Sequence, residues 1–307
     1  MSIQAYTHAP VMLQEVMHYL NVKPNGIYLD GTFGRGGHSK EILAALGTTG
    51  RLVAFDKDPD AVVAANSFSD ERLQVVQTGF ESLKAFAEQA DLMGRIDGIL
   101  LDVGVSSPQL DDATRGFSFM RDGPLDMRMD TTQGVTAADW IRSATDTEIA
   151  DVLFQFGEER YSRRIGRAIV EARGEQPITT TLQLAEIVKK AHPRWPKGQH
   201  PATRSFQGIR IFINQELAAL QMALPQAMEA LAIGGRLVVM SFHSLEDRVV
   251  KRTVRDYARS ISRWQGATQD DTLAVKKLCK AVKATEEEVQ RNPRARSATL
   301  RAVERIR

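Results

Sequence analysis

The stretch Tyr28-Leu29-Asp30-Gly31-Thr32-Phe33-Gly34-Arg35-Gly36-Gly37-His38, read together with Asp56, decides the fold. An apolar run over 27–29 reads as a short strand that ends in an acid. The chain then passes a glycine-rich turn and opens onto a helical segment, 39–46. A second apolar run, 52–55, ends in Asp56. Glycines such as Gly34, Gly36 and Gly37 let backbone approach a ligand where a Cβ would clash. A carboxylate ending the next strand can grip the two hydroxyls of a ribose. The pattern points to a nucleoside-containing cofactor.

Charge chooses among such cofactors. A dinucleotide lays its pyrophosphate on the helix N-terminus, where free amides and the dipole favour an anion. Asp30, at the end of the first strand, would repel that group. S-adenosylmethionine carries a sulfonium and an ammonium, both of which a carboxylate attracts. Asp30 and Asp56 together favour the methyl donor, although Asp30 also suits a plain turn-capping role.

Outward from this motif, short apolar runs at 26–30, 51–56, 73–77 and 96–102 alternate with helical patterns at 39–46, 59–68 and 80–93. Strands alternating with helices predict βαβ units and a parallel sheet. Residues 103–135, rich in Gly, Ser, Pro and Asp, read as a long loop. Apolar residues at three- and four-residue spacing predict helices over 146–156, 158–172 and 181–191, followed by a break at 193–198. Residues 207–232 read as one long helix containing Pro225, ended by Gly234-Gly235, and 236–241 returns as a strand. The expectation is a doubly wound, Rossmann-like α/β sheet carrying an inserted all-helical domain. Its parts are 1–112, the insert 113–203, and 204–307 with a basic C-terminal segment.

With 307 residues, 43% hydrophobic and 25% charged, the composition is that of a globular protein. The start, 1–10, lacks the basic-then-apolar order of a signal peptide, and no apolar run approaches the roughly 20 residues that span a bilayer. A cytoplasmic protein without membrane contact is expected. One cysteine, Cys279, excludes a disulfide framework, and the six histidines show no close metal-ligand spacing, so no metal is expected. Residues 1–112 hold 8 basic and 15 acidic residues, a net of −7, whereas 248–307 hold 16 and 7, a net of +9. An acidic first part suits a cationic cofactor. A basic last part suits a polyanion such as RNA, with a solvated helix surface as the alternative. Phosphate contacts are expected from Arg294 and Arg296, and from Arg160, Arg163, Arg164 and Arg167 on the insert.

Asp30, Asp56 and Asp102 each end a predicted strand, and ligands of open α/β sheets sit beyond those ends. The segment Asp102-Val103-Gly104-Val105-Ser106-Ser107-Pro108-Gln109 stands where amino-directed methyltransferases carry a loop of hydrogen-bond acceptors. An exocyclic amine is a poor nucleophile because its lone pair is delocalised into the ring. Acceptors holding its N–H groups, here Asp102 or the turn with Ser106 and Ser107, help to localise that pair. Methylation at carbon 5 of a pyrimidine needs a cysteine nucleophile. Cys279, among lysines and expected in helix packing, offers none, so nitrogen or oxygen methylation is favoured.

These residues amount to a resemblance. The segments 30–39, 101–111, Gly116-Phe117-Ser118-Phe119, Gly157-Glu158-Glu159, Ser241-Phe242-His243-Ser244-Leu245-Glu246-Asp247-Arg248 and Asn292-Pro293-Arg294-Ala295-Arg296-Ser297 resemble the bacterial ribosomal small subunit methyltransferase H (MraW) family from about His8 to Arg305. The resemblance implies a class I methyltransferase fold with an inserted substrate domain. It implies transfer from S-adenosylmethionine to N4 of a cytidine in the decoding region of 16S rRNA. By motif position it implies cofactor contacts from Gly36, Gly37, His38, Asp56, Phe80, Asp102 and Gln109. The roles of His243, Glu246 and Asp247, and the choice between monomer and homodimer, stay open. A nicotinamide-dependent oxidoreductase and a non-catalytic RNA-binding assembly factor are the competing readings.

Overall fold

The structure is a computed structural model that describes residues 10–195, 198, 200–262 and 274–307. The polar start at 1–9 and Pro196-Lys197 of the expected break lie outside the described residues. Along the chain run α1 (Leu13–Leu20), β1 (Ile27–Asp30), α2 (Gly37–Ala45), β2 (Arg51–Asp56), α3 (Pro59–Ala65), β3 (Leu73–Gln77), α4 (Leu83–Gln89) and β4 (Ile96–Asp102). Then come α5 (Ser107–Asp111), α6 (Ala137–Ser143), α7 (Asp146–Gly157), α8 (Ser162–Glu175), α9 (Thr181–Ala191) and α10 (Thr203–Ile213). The chain continues through α11 (Glu216–Ala230), β5 (Leu231–Ser241), α12 (Ser244–Ser262), β6 (Val275–Lys277), β7 (Val282–Lys283), α13 (Glu286–Arg291) and β8 (Thr299–Arg305). Two compact units result, Met1–Gly104 with Leu217–Arg307, and Val105–Glu216.

The first unit is built on one sheet in the order β3-β2-β1-β4-β5-β8-β6, with β7 also paired to β8. Strands β1 to β5 are mutually parallel, and β8 runs antiparallel to β5. Alternation along the strands explains why both faces are covered. Leu29, Val53, Phe55, Ile99, Leu101 and Val239 pack with α4, α11 and α12 on one side. Tyr28, Leu52, Leu100, Val238 and Met240 pack with α1 and α2 on the other. Chain order reverses between β1 and β4, the switch point at which open α/β sheets bind ligands beyond their carboxyl ends.

The second unit is helical and buries its own core. Ile149 and Leu153 of α7, Ile165 and Ile169 of α8, Leu184 and Val188 of α9, and Phe206 and Ile209 of α10 form one cluster. Capping boxes start two of these helices, Thr145 with Glu148 and Thr180 with Gln183. The unit is wider than the expected 113–203 because α10 packs against α7. At that crossing a Cβ on Gly208 would lie 2.9 Å from the backbone nitrogen of Gly157.

Four expectations are corrected. The helix read over 207–232 is two helices. The Asn214 amide donates to the Met127 carbonyl and accepts from the Met129 N–H, both at 2.7 Å, and Gln215 turns left-handed at φ 51°. The strand read from 236 starts at Leu231. The expected loop over 103–135 contains α5 and a single turn at Ala113–Arg115. Cys279 lies between β6 and β7, against the α1 side of the sheet, rather than in a helix. Among the described residues no helix is long and apolar enough to cross a membrane.

Gly208→Ala is expected to lower stability by about 1–3 kcal/mol, because backbone must move to admit the methyl group. Urea unfolding checks this, and an unchanged midpoint would mean that α7 and α10 are not held in close contact.

Candidate active site at the carboxyl ends of the strands

Three carboxylates stand together because of strand register. Asp30 pairs with Ala54 on one side and Leu100 on the other, so Asp56 and Asp102 each lie two residues further along the flanking strands. Like charges so placed need fixed partners, and the turn between β1 and α2 supplies them. Thr32 donates to Asp30 Oδ1 from its N–H at 3.0 Å and from its hydroxyl at 3.3 Å, and Ser39 Oγ donates to Oδ2 at 2.7 Å. Asp30 is buried, and both its oxygens are occupied within the fold.

Thr32 carries the connection onward, since its hydroxyl accepts the N–H of Asp102 at 2.8 Å. Gly34, at φ +57°, aims its N–H at Asp56 Oδ2 at 2.7 Å, while Oδ1 accepts the Asp58 N–H at 2.9 Å. Gly36, at φ +75°, caps α2, which begins at Gly37. A side chain at Gly36 would meet the rings of Phe68 and Phe33. Phe80 follows β3 and stands beside Gly31, where an added Cβ would lie 3.1 Å from its own Cβ.

Burial pushes the Asp56 carboxyl up to about 6, with Asp58 and Asp30 adding to the rise and the N–H groups of Asp58 and Gly34 opposing it. Burial likewise pushes Asp102 up to about 6, where His38 opposes the rise and Asp30 and Glu246 add to it. The Asp102 side chain is 25% exposed overall, yet its Oδ1 is buried, with no hydrogen-bond partner among the described residues. His38 is buried at the start of α2, with Nδ1 3.6 Å from Asp102 Oδ2 and Nε2 3.0 Å from the Val11 carbonyl.

Asp30, Gly34, Gly36, Gly37, His38, Asp56, Phe80 and Asp102 thus belong to the first unit. Ser106, Ser107 and Gln109 belong to the second. There the Ser106 N–H donates to Gln109 Oε1 at 2.9 Å and Ser106 Oγ accepts from Gln109 N–H at 3.4 Å, a capping box that starts α5. Thr32 and Ser39 are not among the sequence-predicted site residues, and Glu246, whose role the sequence leaves open, is fully buried and accepts the N–H groups of Phe242 and His243 at 2.7 and 3.2 Å. The acid three residues into a helix after His243 is a capping signal that marks Glu246. Thr32 and Ser39 carry no comparable signal.

This arrangement suits a cation. Three carboxylates with Glu246 behind them, and one oxygen left without a proton donor, favour positive charge and disfavour a pyrophosphate. Free of ligand, the same charges oppose folding. The folded-state values exceed the ordinary carboxylate range, so these groups favour the folded state below about pH 4. That contribution is lost as pH rises through about 6. Asp102→Asn is therefore expected to raise ligand-free stability by about 1–3 kcal/mol at pH 8 and to leave it unchanged near pH 4. Thermal unfolding at the two pH values checks it, and equal effects at both would remove ionisation as the cause.

The model of the MraW methylase family matches residues 5–306. An rRNA methylase structure from Streptococcus thermophilus is similar at 12% identity, covering 96% of this chain and 92% of its own, with a TM-score of 0.41. A Streptococcus mutans protein described as a methyltransferase and solved with SAH matches at 11% identity, 95% and 97% coverage and a TM-score of 0.43. At such scores the family match, with the motifs it spans, carries the assignment. The chain belongs to the MraW methylase family.

Proposed function

We propose that this S-adenosylmethionine-dependent rRNA methyltransferase acts on N4 of a cytidine in the decoding region of 16S rRNA, within the small ribosomal subunit. Asp102 is the observation that carries this reading: a carboxylate at the switch point whose Oδ1 has no donor among the described residues. An exocyclic amine offers the N–H groups that such an oxygen lacks. Carbon methylation is disfavoured because Cys279 lies between β6 and β7 on the face that packs α1, beside Tyr19.

S-adenosylmethionine, when bound, supplies a methyl carbon on positively charged sulfur. In this reading Asp56 binds the ribose hydroxyls with the lone pairs that Gly34 and Asp58 leave free. Gly34, Gly36 and Gly37 let the cofactor approach the backbone, and Phe80 offers adenine an apolar surface. Asp30 acts at one remove, through its charge, since Thr32 and Ser39 take its oxygens. Ser106 and Gln109 shape α5. The second unit is the substrate-recognition part. Arg160, Arg163, Arg164 and Arg167, on and just before α8, are all exposed and enter no ion pair among the described residues. Arg296 is exposed as well, while Arg294 is half-buried, and Arg301 is drawn onto Asp247 at 2.8 Å.

The test is methylation of unmodified small subunits followed by nucleoside mass spectrometry. N4-methylcytidine is expected, and a methyl group on carbon 5 or on ribose would overturn the reading. Asp56→Ala should weaken calorimetric S-adenosylmethionine affinity about tenfold with the fold retained. Unchanged affinity would take Asp56 out of the site. Arg163→Glu with Arg167→Glu should weaken RNA binding and lower its salt slope by about 2, leaving cofactor affinity unaltered. If the slope does not move, these arginines are only a solvated face.

A further inference from the structure

His38 is placed by resemblance among the cofactor contacts, and its ring also stands between the Val11 carbonyl and Asp102. Nε2 faces the Val11 carbonyl at 3.0 Å. A carbonyl oxygen only accepts, so Nε2 carries a hydrogen. Nδ1 faces Asp102 Oδ2 at 3.6 Å. At that ion-pair separation a hydrogen on Nδ1 favours the carboxylate, whereas a bare Nδ1 would set its lone pair against it. The other oxygen, Asp102 Oδ1, is buried and has no hydrogen-bond partner among the described residues.

We propose that Asp102 and His38 form a proton-accepting dyad, in which the partly exposed Asp102 carboxylate takes the proton released from N4 and His38, beside Oδ2, holds that carboxylate in the receiving orientation. Asp102 is the catalytic residue and His38 a positioning residue. The dyad deepens the cytidine reading above and rests on it. In the transfer, the N4 lone pair forms the new N–C bond and the C–S bond breaks with its electrons going to sulfur, so positive charge arrives on N4. An N4–H bond then returns its electrons to nitrogen as the proton passes to the Asp102 carboxylate. Asp102 becomes neutral, the imidazolium keeps its proton, and water removes the added proton when product leaves.

The charged groups facing Asp102 are His38 at the start of α2, Asp30 at the end of β1 and Glu246 at the start of α12. Two of the three are acids, which make Asp102 a better proton acceptor near neutrality than an isolated aspartate. His38 opposes them and keeps the group ionised at working pH. A direct cofactor contact predicts none of this, because removing one would weaken cofactor affinity at every pH.

The experiment uses the full chain and has two independent arms. Carbon-13 NMR of the ligand-free protein follows the Asp102 carboxyl in wild type and in His38→Gln, which keeps a donor for Val11. The dyad requires the titration midpoint to move upward by about one unit or more in the variant. An unmoved midpoint overturns the dyad whatever the substrate proves to be. Single-turnover methylation at saturating cofactor is measured across pH in the second arm. His38→Gln should slow the reaction about tenfold near pH 6.5 and about twofold or less near pH 8.5. A slowing equal at all pH values overturns the proton role. Asp102→Asn, which cannot accept the proton, should lose about 10²-fold, with a rate that keeps rising with pH where wild type levels off. A parallel profile overturns the proposal too. Wild-type protein that yields no N4-methylcytidine refutes the cytidine reading, while the NMR arm still judges the dyad.

Discussion

Three aspartates at the ends of neighbouring parallel strands repel one another, and the first unit is organised around holding them there. The register that carries Asp56 and Asp102 two residues past Asp30 is set by sheet pairing and by the apolar residues that alternate across it. What remains is to satisfy the carboxylates. Thr32 ties Asp30 to the Asp102 N–H, Gly34 reaches Asp56 through a left-handed backbone, and Ser39 closes on Asp30 from the first turn of α2. The glycine-rich turn is thus as much a device for fixing charge as an opening for a ligand.

The arrangement is incomplete by itself, and that incompleteness is functional. Asp56 and Asp102 are held near 6, well above the ordinary carboxylate range, because burial and neighbouring acids disfavour their charge. A fold selected only for stability would replace or pair them. On the proposed reading, a cationic donor bound there would relieve that cost, and the strain of the ligand-free site would become affinity for positive charge. Glu246 takes part from a distance. Its Oε2 caps the start of α12 while its charge bears on Asp102, which links the strand β5 and helix α12 to the chemistry.

The second unit follows different rules. Four of its helices, α5, α6, α7 and α9, begin on side-chain caps, its longer helices share an apolar core, and the exposed face of α8 is rich in arginine. The basic C-terminal segment is less free than its charge suggests. Arg301 pairs with Asp247, and Arg305 Nη1 donates to the carbonyls of Glu229 at 2.8 Å and Leu231 at 2.6 Å. Net charge counted along a sequence therefore overstates what is available to a polyanion, because half-buried guanidinium groups also serve as donors within the fold.

Local patterns in the chain determined the parallel strands, their terminal acids, the glycine turn and the helical stretch between them. Each rests on residues within a few positions of one another, where periodicity and turn chemistry speak directly. Tertiary structure alone decided the rest. The break after Ile213 comes from Asn214 bonding to backbone more than eighty residues away, which leaves the apolar periodicity of 207–232 uninterrupted. The antiparallel strands β6 to β8 are hidden in a segment dominated by charge, since pairing with β5 is what makes 299–305 extended. Asp30 reads from sequence as a ligand group, yet its oxygens go to Thr32 and Ser39. His38 reads as a cofactor contact, and the fold also sets its ring between the Val11 carbonyl and Asp102. Which acid is left with an open oxygen depends on partners brought together from distant parts of the chain, and a one-dimensional pattern carries no record of them.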